Sequence, residues 1–219
     1  MGWGGRWAMR TDLLALVQWL SPAFPTGAFA ASHGLEWAVA AGEVRTADDV
    51  AGWLADVLEF GAGWQDAVLL ALALAPGADH GALTGLARAL AGSAERLGET
   101  LDQGAAFART VAALTGRELV ARPLPVAVGE AAGGLDLAVA EVVALYLHGF
   151  AGNLVSVAVR FVPLGQTEGQ AVLAGLHPLI TRLAARAVGS GLDDLAAAAF
   201  GADLAAMQHE TMDVRIYRT

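Results

Sequence analysis

Residues 46–59 read Thr46-Ala-Asp-Asp-Val-Ala-Gly-Trp-Leu-Ala-Asp-Val-Leu-Glu59. Val50, Trp53, Leu54, Val57 and Leu58 recur at i, i+3, i+4, i+7 and i+8, the spacing of one helix face, and Asp48, Asp49, Asp56 and Glu59 fall opposite. Thr46, three residues ahead of Asp49, has the form of a capping box with Asp in place of the usual Glu, so the stripe also has a start signal. The same period continues in both directions. It predicts further helices near residues 12–20, 31–41, 64–75, 79–90, 93–114, 136–161, 167–177, 178–188, 192–200 and 203–210. Pro22 and Pro25 stiffen the loop at 21–29. Pro123 and Pro125 make 119–128 a connector that leaves room for a short helix after Pro125. No period-two run is long enough for a sheet, and short loops favour antiparallel helix neighbours. The reading is all-α: a single-domain helical bundle of about ten helices over residues 11–210. Residues 1–10 form a disordered lead, and 211–219 a C-terminal tail.

Composition narrows the function. The 219 residues include no Cys, which removes disulfide scaffolds, thiolate metal sites and thiol nucleophiles. All 13 basic residues are Arg, so a P-loop lysine, a Schiff-base lysine and a Ser-Lys dyad are excluded. A net charge of −9 opposes a general nucleic-acid-binding face. Hydrophobic residues make up 56% of the chain and charged residues 16%, with a mean hydropathy of +0.51; such values raise the question of a membrane span or a large partner-facing surface. The best span is residues 142–159, VVALYLHGFAGNLVSVAV, but His148, Asn153, Ser156 and two glycines favour a buried central helix. At the N-terminus, Asp12 and Gln18 interrupt the apolar stretch of an export-signal pattern, and Pro22 and Pro25 follow it closely. The expected protein is cytoplasmic, bound to neither membrane nor nucleic acid.

No catalytic constellation emerges from the residues themselves. His33 and Glu36 stand at i, i+3 and would share a helix face, but no second such pair exists for a di-metal bundle site. His209-Glu210 lacks the second His of a zinc-protease helix. Gly165-Gln-Thr-Glu-Gly169 opens a helix without a lysine, so a tight turn is the reading there rather than a phosphate cradle. A helical metal- or cofactor-binding enzyme built on His33, Glu36 and His209 is the alternative to a chain without catalysis. Trp3 and Trp7 in the lead and Tyr217 in the tail are hard to bury at home, and aromatic and Arg residues are favoured interface anchors.

Three motifs in order then bear on identity. Leu20-Ser-Pro-Ala-Phe-Pro-Thr-Gly-Ala-Phe29 leads to Ser32-His-Gly-Leu-Glu36; Pro163-Leu-Gly-Gln-Thr-Glu-Gly-Gln170 follows the long helix; Met207-Gln-His-Glu-Thr211 precedes Arg215-Ile-Tyr-Arg-Thr219. Together they resemble the urease accessory protein UreF family, from about Leu13 to the last residue. The resemblance implies an all-α, non-catalytic chaperone or scaffold, a homodimer. It would join a UreD/UreH-type protein and the GTPase UreG on the urease apoprotein for GTP-dependent nickel insertion during urease maturation. No cofactor is implied; nickel is handled by the complex and is not held tightly by this chain. The partner-binding residues it points to are Ser32, His33, Glu36, Gln166, Gln170, His209, Glu210, Arg215, Tyr217 and Arg218, with a tail that gains order only on docking to the UreD-type subunit. Ala31 stands where many members carry Tyr, which removes any contact made by that phenol.

Overall fold

The computed structural model describes residues 11–195 and 199–218. Along them run α1 (Thr11–Trp19), a 3-10 turn (Ala28–Ala30), α2 (Leu35–Ala40), α3 (Ala47–Phe60), α4 (Ala62–Ala73), α5 (His80–Ala89), α6 (Ala94–Thr115), α7 (Leu124–Ala132), α8 (Val139–Phe161), α9 (Gln166–Gly175), α10 (His177–Val188), a second 3-10 turn (Leu192–Asp194) and α11 (Phe200–His209). No strand occurs among the described residues, and the fold is all-α. The expected lead at 1–10 with its two tryptophans, residues 196–198 of the expected helix at 192–200, and Thr219 lie outside the described residues.

α4 occupies the centre because it has no polar stripe to turn outward. Trp64, Ala67, Val68, Leu69, Leu70 and Ala73 are each at most 3% exposed, and the helix packs against α3, α5, α7, α8 and α10. α3 behaves as its sequence dictates: Val50, Leu54, Val57 and Leu58 are buried. The Asp49 N–H donates to Thr46 Oγ1 at 3.2 Å and the Thr46 N–H to Asp49 Oδ2 at 3.0 Å, closing the capping box. α8 and the stretch spanning α9 and α10 are each long and apolar enough to cross a membrane by length and composition. In the fold α8 is a core helix, with Val142, Val143, Leu147, Ala151, Leu154 and Ala158 buried. α1 leans on α6 through an edge-on contact of Trp19 with Phe107, ring centres 6.1 Å apart.

The structure corrects several expected boundaries. The segment read as a connector holds α7, a nine-residue helix that is almost wholly buried. Pro125 stands in its first turn, where an N–H has no intrahelical partner to lose. The chain leading into α7 crosses α6 at Gly104, where an added Cβ would fall 1.8 Å from the Arg122 carbonyl oxygen. α2 begins at Leu35 rather than near residue 31, because His33 (φ 51°) and Gly34 (φ 76°) both take left-handed backbone. Of the helix expected at 192–200, the described residues 192–195 hold a 3-10 turn over Leu192–Asp194, and α11 starts at Phe200, three residues earlier than the last helix was expected.

Candidate docking face around Glu36 and the C-terminal tail

The Ser32-His-Gly-Leu-Glu36 segment meets α11 where side chains leave no room. A Cβ on Gly34 would lie 2.6 Å from the Ala206 nitrogen and 2.8 Å from the Ala205 carbonyl carbon, so glycine permits both the backbone angle and the approach. That approach sets Glu36, 5% exposed, against His209, fully buried, with Glu36 Oε2 3.0 Å from His209 Nε2. The second ring nitrogen, Nδ1, lies 2.7 Å from Oε2 of Glu95 on α6. His209 thus bridges carboxylates from two helices that are far apart in sequence.

The same carboxylates hold the tail. The N–H groups of Ile216 and Tyr217 donate to Glu36 Oε1 and Oε2 at 2.8 and 2.9 Å, and the Arg215 guanidinium pairs with Glu95 Oε1. Glu210 Oε1 accepts from the first-turn N–H groups of Ala94 and Glu95 and so ties the end of α11 to the start of α6. Burial alone would raise the Glu36 pKa, but His209 and the two tail N–H groups outweigh it and hold the group below its ordinary value. Tyr217 is 5% exposed, its ring against Phe161 and its hydroxyl accepting from Arg160 at 3.0 Å. The Arg218 N–H donates to the Ala30 carbonyl at 2.8 Å, laying the chain end beside the 3-10 turn.

One expectation about the tail is therefore corrected: Tyr217 is buried at home, and Glu36 supplies the acceptors for the Ile216 and Tyr217 N–H groups. Side chains along the tail differ in exposure. Tyr217 points in, while Val214 and Ile216 are 78% and 73% exposed; Phe29, on the 3-10 turn beside the chain end, is 66% exposed.

Beneath this face lies a buried ionic chain. Tyr146 donates to Asp66 Oδ2 at 2.7 Å, Arg96 donates to the same oxygen at 2.7 Å, and Arg96 Nη1 lies 3.4 Å from Glu99 Oε1. His33 Nε2 (3.1 Å) and Gln103 Nε2 (2.8 Å) reach the same Glu99 oxygen. Burial opposes ionisation of Glu99, but His33 and Arg96 overcome it and lower its pKa to about 2. Burial also opposes the Arg96 charge, which Asp66 and Glu99 restore, raising the guanidinium further. Burial, then Asp66, push the Tyr146 phenol well up. Each charge is paired, as a buried charge must be to persist. Next to the chain, His33, Glu95, Glu99 and Asp203 help line a cavity of about 130 Å³, and burial raises the Asp203 pKa.

The expected shared helix face of His33 and Glu36 is overturned, since His33 precedes α2 in left-handed backbone and pairs with Glu99 while Glu36 pairs with His209. Among the described residues no group of three or more His, Asp or Glu could hold a metal ion. Ser32 is fully buried and its hydroxyl has no hydrogen-bond partner. Arg215, Arg218, Gln166 and Gln170 are exposed, the two glutamines in the first turns of α9. Glu210 is half-buried. The candidate residues thus divide into an interior group that fixes the tail and an exposed group that can touch another molecule. Sequence reasoning missed Glu95, Glu99, Arg96 and Asp66, and it did not single out Phe29, Val214 or Ile216. The alternation in Val214-Arg-Ile-Tyr-Arg218 was the signal for the tail residues; nothing local signals the ionic chain.

A family model described as UreF matches residues 44–177. A protein of Cereibacter sphaeroides named urease accessory protein UreF is 67% identical over 96% of this chain and its own full length. The chain belongs to the UreF family. Relatives with the same name from Paracoccus denitrificans and from a Jannaschia species are 58% and 56% identical, each over 94% of this chain and 95% and 94% of their own lengths. The family match begins at Val44, after the Glu36 segment, and ends at His177, before the tail. In this UreF-family chain the face around Glu36 and the tail lies largely outside the matched region, while the pairwise likenesses cover nearly the whole chain.

Proposed function

We propose that this chain is a urease accessory protein that works without catalysis, as a scaffold joining a UreD/UreH-type protein and the GTPase UreG on the urease apoprotein for GTP-dependent nickel insertion. The observation that carries the reading is the tail: Glu36 and Glu95 hold its backbone and Arg215, while Val214 and Ile216 are turned outward at 78% and 73% exposure. Exposed apolar side chains on a backbone fixed by buried hydrogen bonds form a pre-organised ligand for another protein, with little ordering entropy left to lose on binding. The face with Phe29, Val214 and Ile216 is assigned to the UreD/UreH-type subunit, and the exposed Gln166 and Gln170 on α9 to a separate contact. The family's name supports a role among urease accessory proteins. Homodimerisation and a cytoplasmic location belong to the same proposal.

The alternative, an enzyme using His33, Glu36 and His209, is disfavoured by where those groups are spent. Glu36 and His209 engage each other, and His33 engages Glu99. Co-expression tests the leading reading: the chain co-purifies with the UreD/UreH-type and UreG-type proteins, and removal of residues 215–219 abolishes urease activation. A truncated chain that still activates urease fully overturns the assignment of the tail.

A further inference from the structure

The five histidines are not equivalent. His209 lies between two carboxylates, His33 pairs with Glu99 and contacts Phe150, and His80 reaches the Ala73 carbonyl at 2.9 Å. His148 on α8 and His177 at the start of α10 instead face each other, with ring centres 5.4 Å apart and planes inclined by 42°. Both residues are exposed. Their backbones are not free to drift: the adjoining Leu147 and Leu176 are 0% and 5% exposed, and α8 and α10 pack along one another.

That separation has a chemical meaning. Two imidazoles bound to one cation with metal–nitrogen distances of about 2.0–2.1 Å, at a tetrahedral angle, place their ring centres roughly 5 Å apart. The His148 and His177 ring centres, 5.4 Å apart, stand close to that separation. Imidazole nitrogens select late first-row divalent cations over Mg²⁺ or Ca²⁺, which require oxygen ligands. A net charge of −9 adds a general attraction for cations.

We propose that His148 and His177 form a two-point surface site for a late first-row divalent cation such as Ni²⁺ or Zn²⁺. With two protein ligands the remaining positions are filled by water or by a group from an approaching molecule. Binding is accordingly exchangeable, not the closed hold of a structural zinc site. The inference does not depend on the scaffold role and stands or falls separately from it.

The test uses the untagged full chain, freed of metal with a chelator and titrated calorimetrically with Ni²⁺ alone in a non-coordinating buffer, with Mg²⁺ as the comparison. Expected are one saturable Ni²⁺ equivalent, no Mg²⁺ binding, and a loss of affinity of roughly tenfold or more in H148A and in H177A, with H80A unchanged. Zn²⁺ should shift the ring resonances of His148 and His177 in NMR spectra while leaving those of His209 in place. Both side chains are exposed, and unchanged circular dichroism and Tm confirm that the variants fold. No saturable Ni²⁺ binding, or binding that keeps its affinity in both variants, overturns the proposal.

Discussion

Glu36 Oε2 accepts a hydrogen bond from the Tyr217 N–H at 2.9 Å, joining residues 181 positions apart in the chain. The adjacent Ile216 N–H binds the other oxygen of the same carboxylate. One side chain thereby fixes the path of the tail.

Replacing it should loosen the tail before it unfolds the bundle. Glu36→Gln leaves one oxygen to serve two N–H groups and removes the charge facing His209. The expected cost is about 1–3 kcal/mol, the scale of a buried polar group left unsatisfied. Hydrogen exchange checks it: the amides of Ile216 and Tyr217 should lose protection while those of α4 keep theirs.

Acid should destabilise the protein through the same carboxylates. Glu36 and Glu99 both titrate below the ordinary value of 4.5 when folded, Glu99 at about 2. The folded form therefore binds these protons less readily than the unfolded chain does. The associated stability is fully present above pH 4.5 and is lost as pH falls through the folded values. For Glu99 the loss is on the order of 3 kcal/mol between about pH 4.5 and 2. Denaturant titrations across that range should show a shallower pH dependence in Glu99→Gln than in the parent.

Gly34→Ala tests the close approach of α2 and α11. The new Cβ meets backbone atoms of Ala205 and Ala206 at 2.8 and 2.6 Å, and φ stays at 76°. We expect a loss of about 1–3 kcal/mol in chemical denaturation, with displacement of His209 from Glu36. A neutral result would mean that α11 can shift without penalty.

Tyr217→Ala and Val214→Asp should behave as opposites although they lie three residues apart. Tyr217 is buried against Phe161 and bonded to Arg160, so its truncation should cost about 3–5 kcal/mol. Val214 is 78% exposed, so its replacement should leave stability within about 0.5 kcal/mol. Thermal unfolding of both variants distinguishes a structural side of the tail from a contacting side.

The sequence was informative where the deciding interactions are local. The stripe and capping box of α3 lie within fourteen residues and are present as read. The start of α2 was not legible, because a histidine at φ 51° does not disrupt an apolar period and the helical pattern runs through it. The start and length of α7 were blurred by two prolines that look like breakers, although they leave room for a short helix after Pro125; Pro125 occupies the turn where proline is tolerated. In the candidate site, the motifs named Glu36, His209 and the tail but not their relation. Which carboxylate meets which imidazole is fixed by the packing of α2, α6 and α11, and no spacing along the chain encodes it. The same holds for Asp66, Arg96 and Glu99: each reads alone as a solvated charge, and only the packing around α4 makes them interior.

The most direct test of the scaffold account is the affinity of the full chain for the UreD/UreH-type protein, compared with that of the double variant Val214→Asp, Ile216→Asp. The account predicts an unchanged Tm and an affinity at least about thirtyfold weaker, the scale of losing an interface anchor. Equal affinity for the parent and the double variant, with both folded, would contradict it.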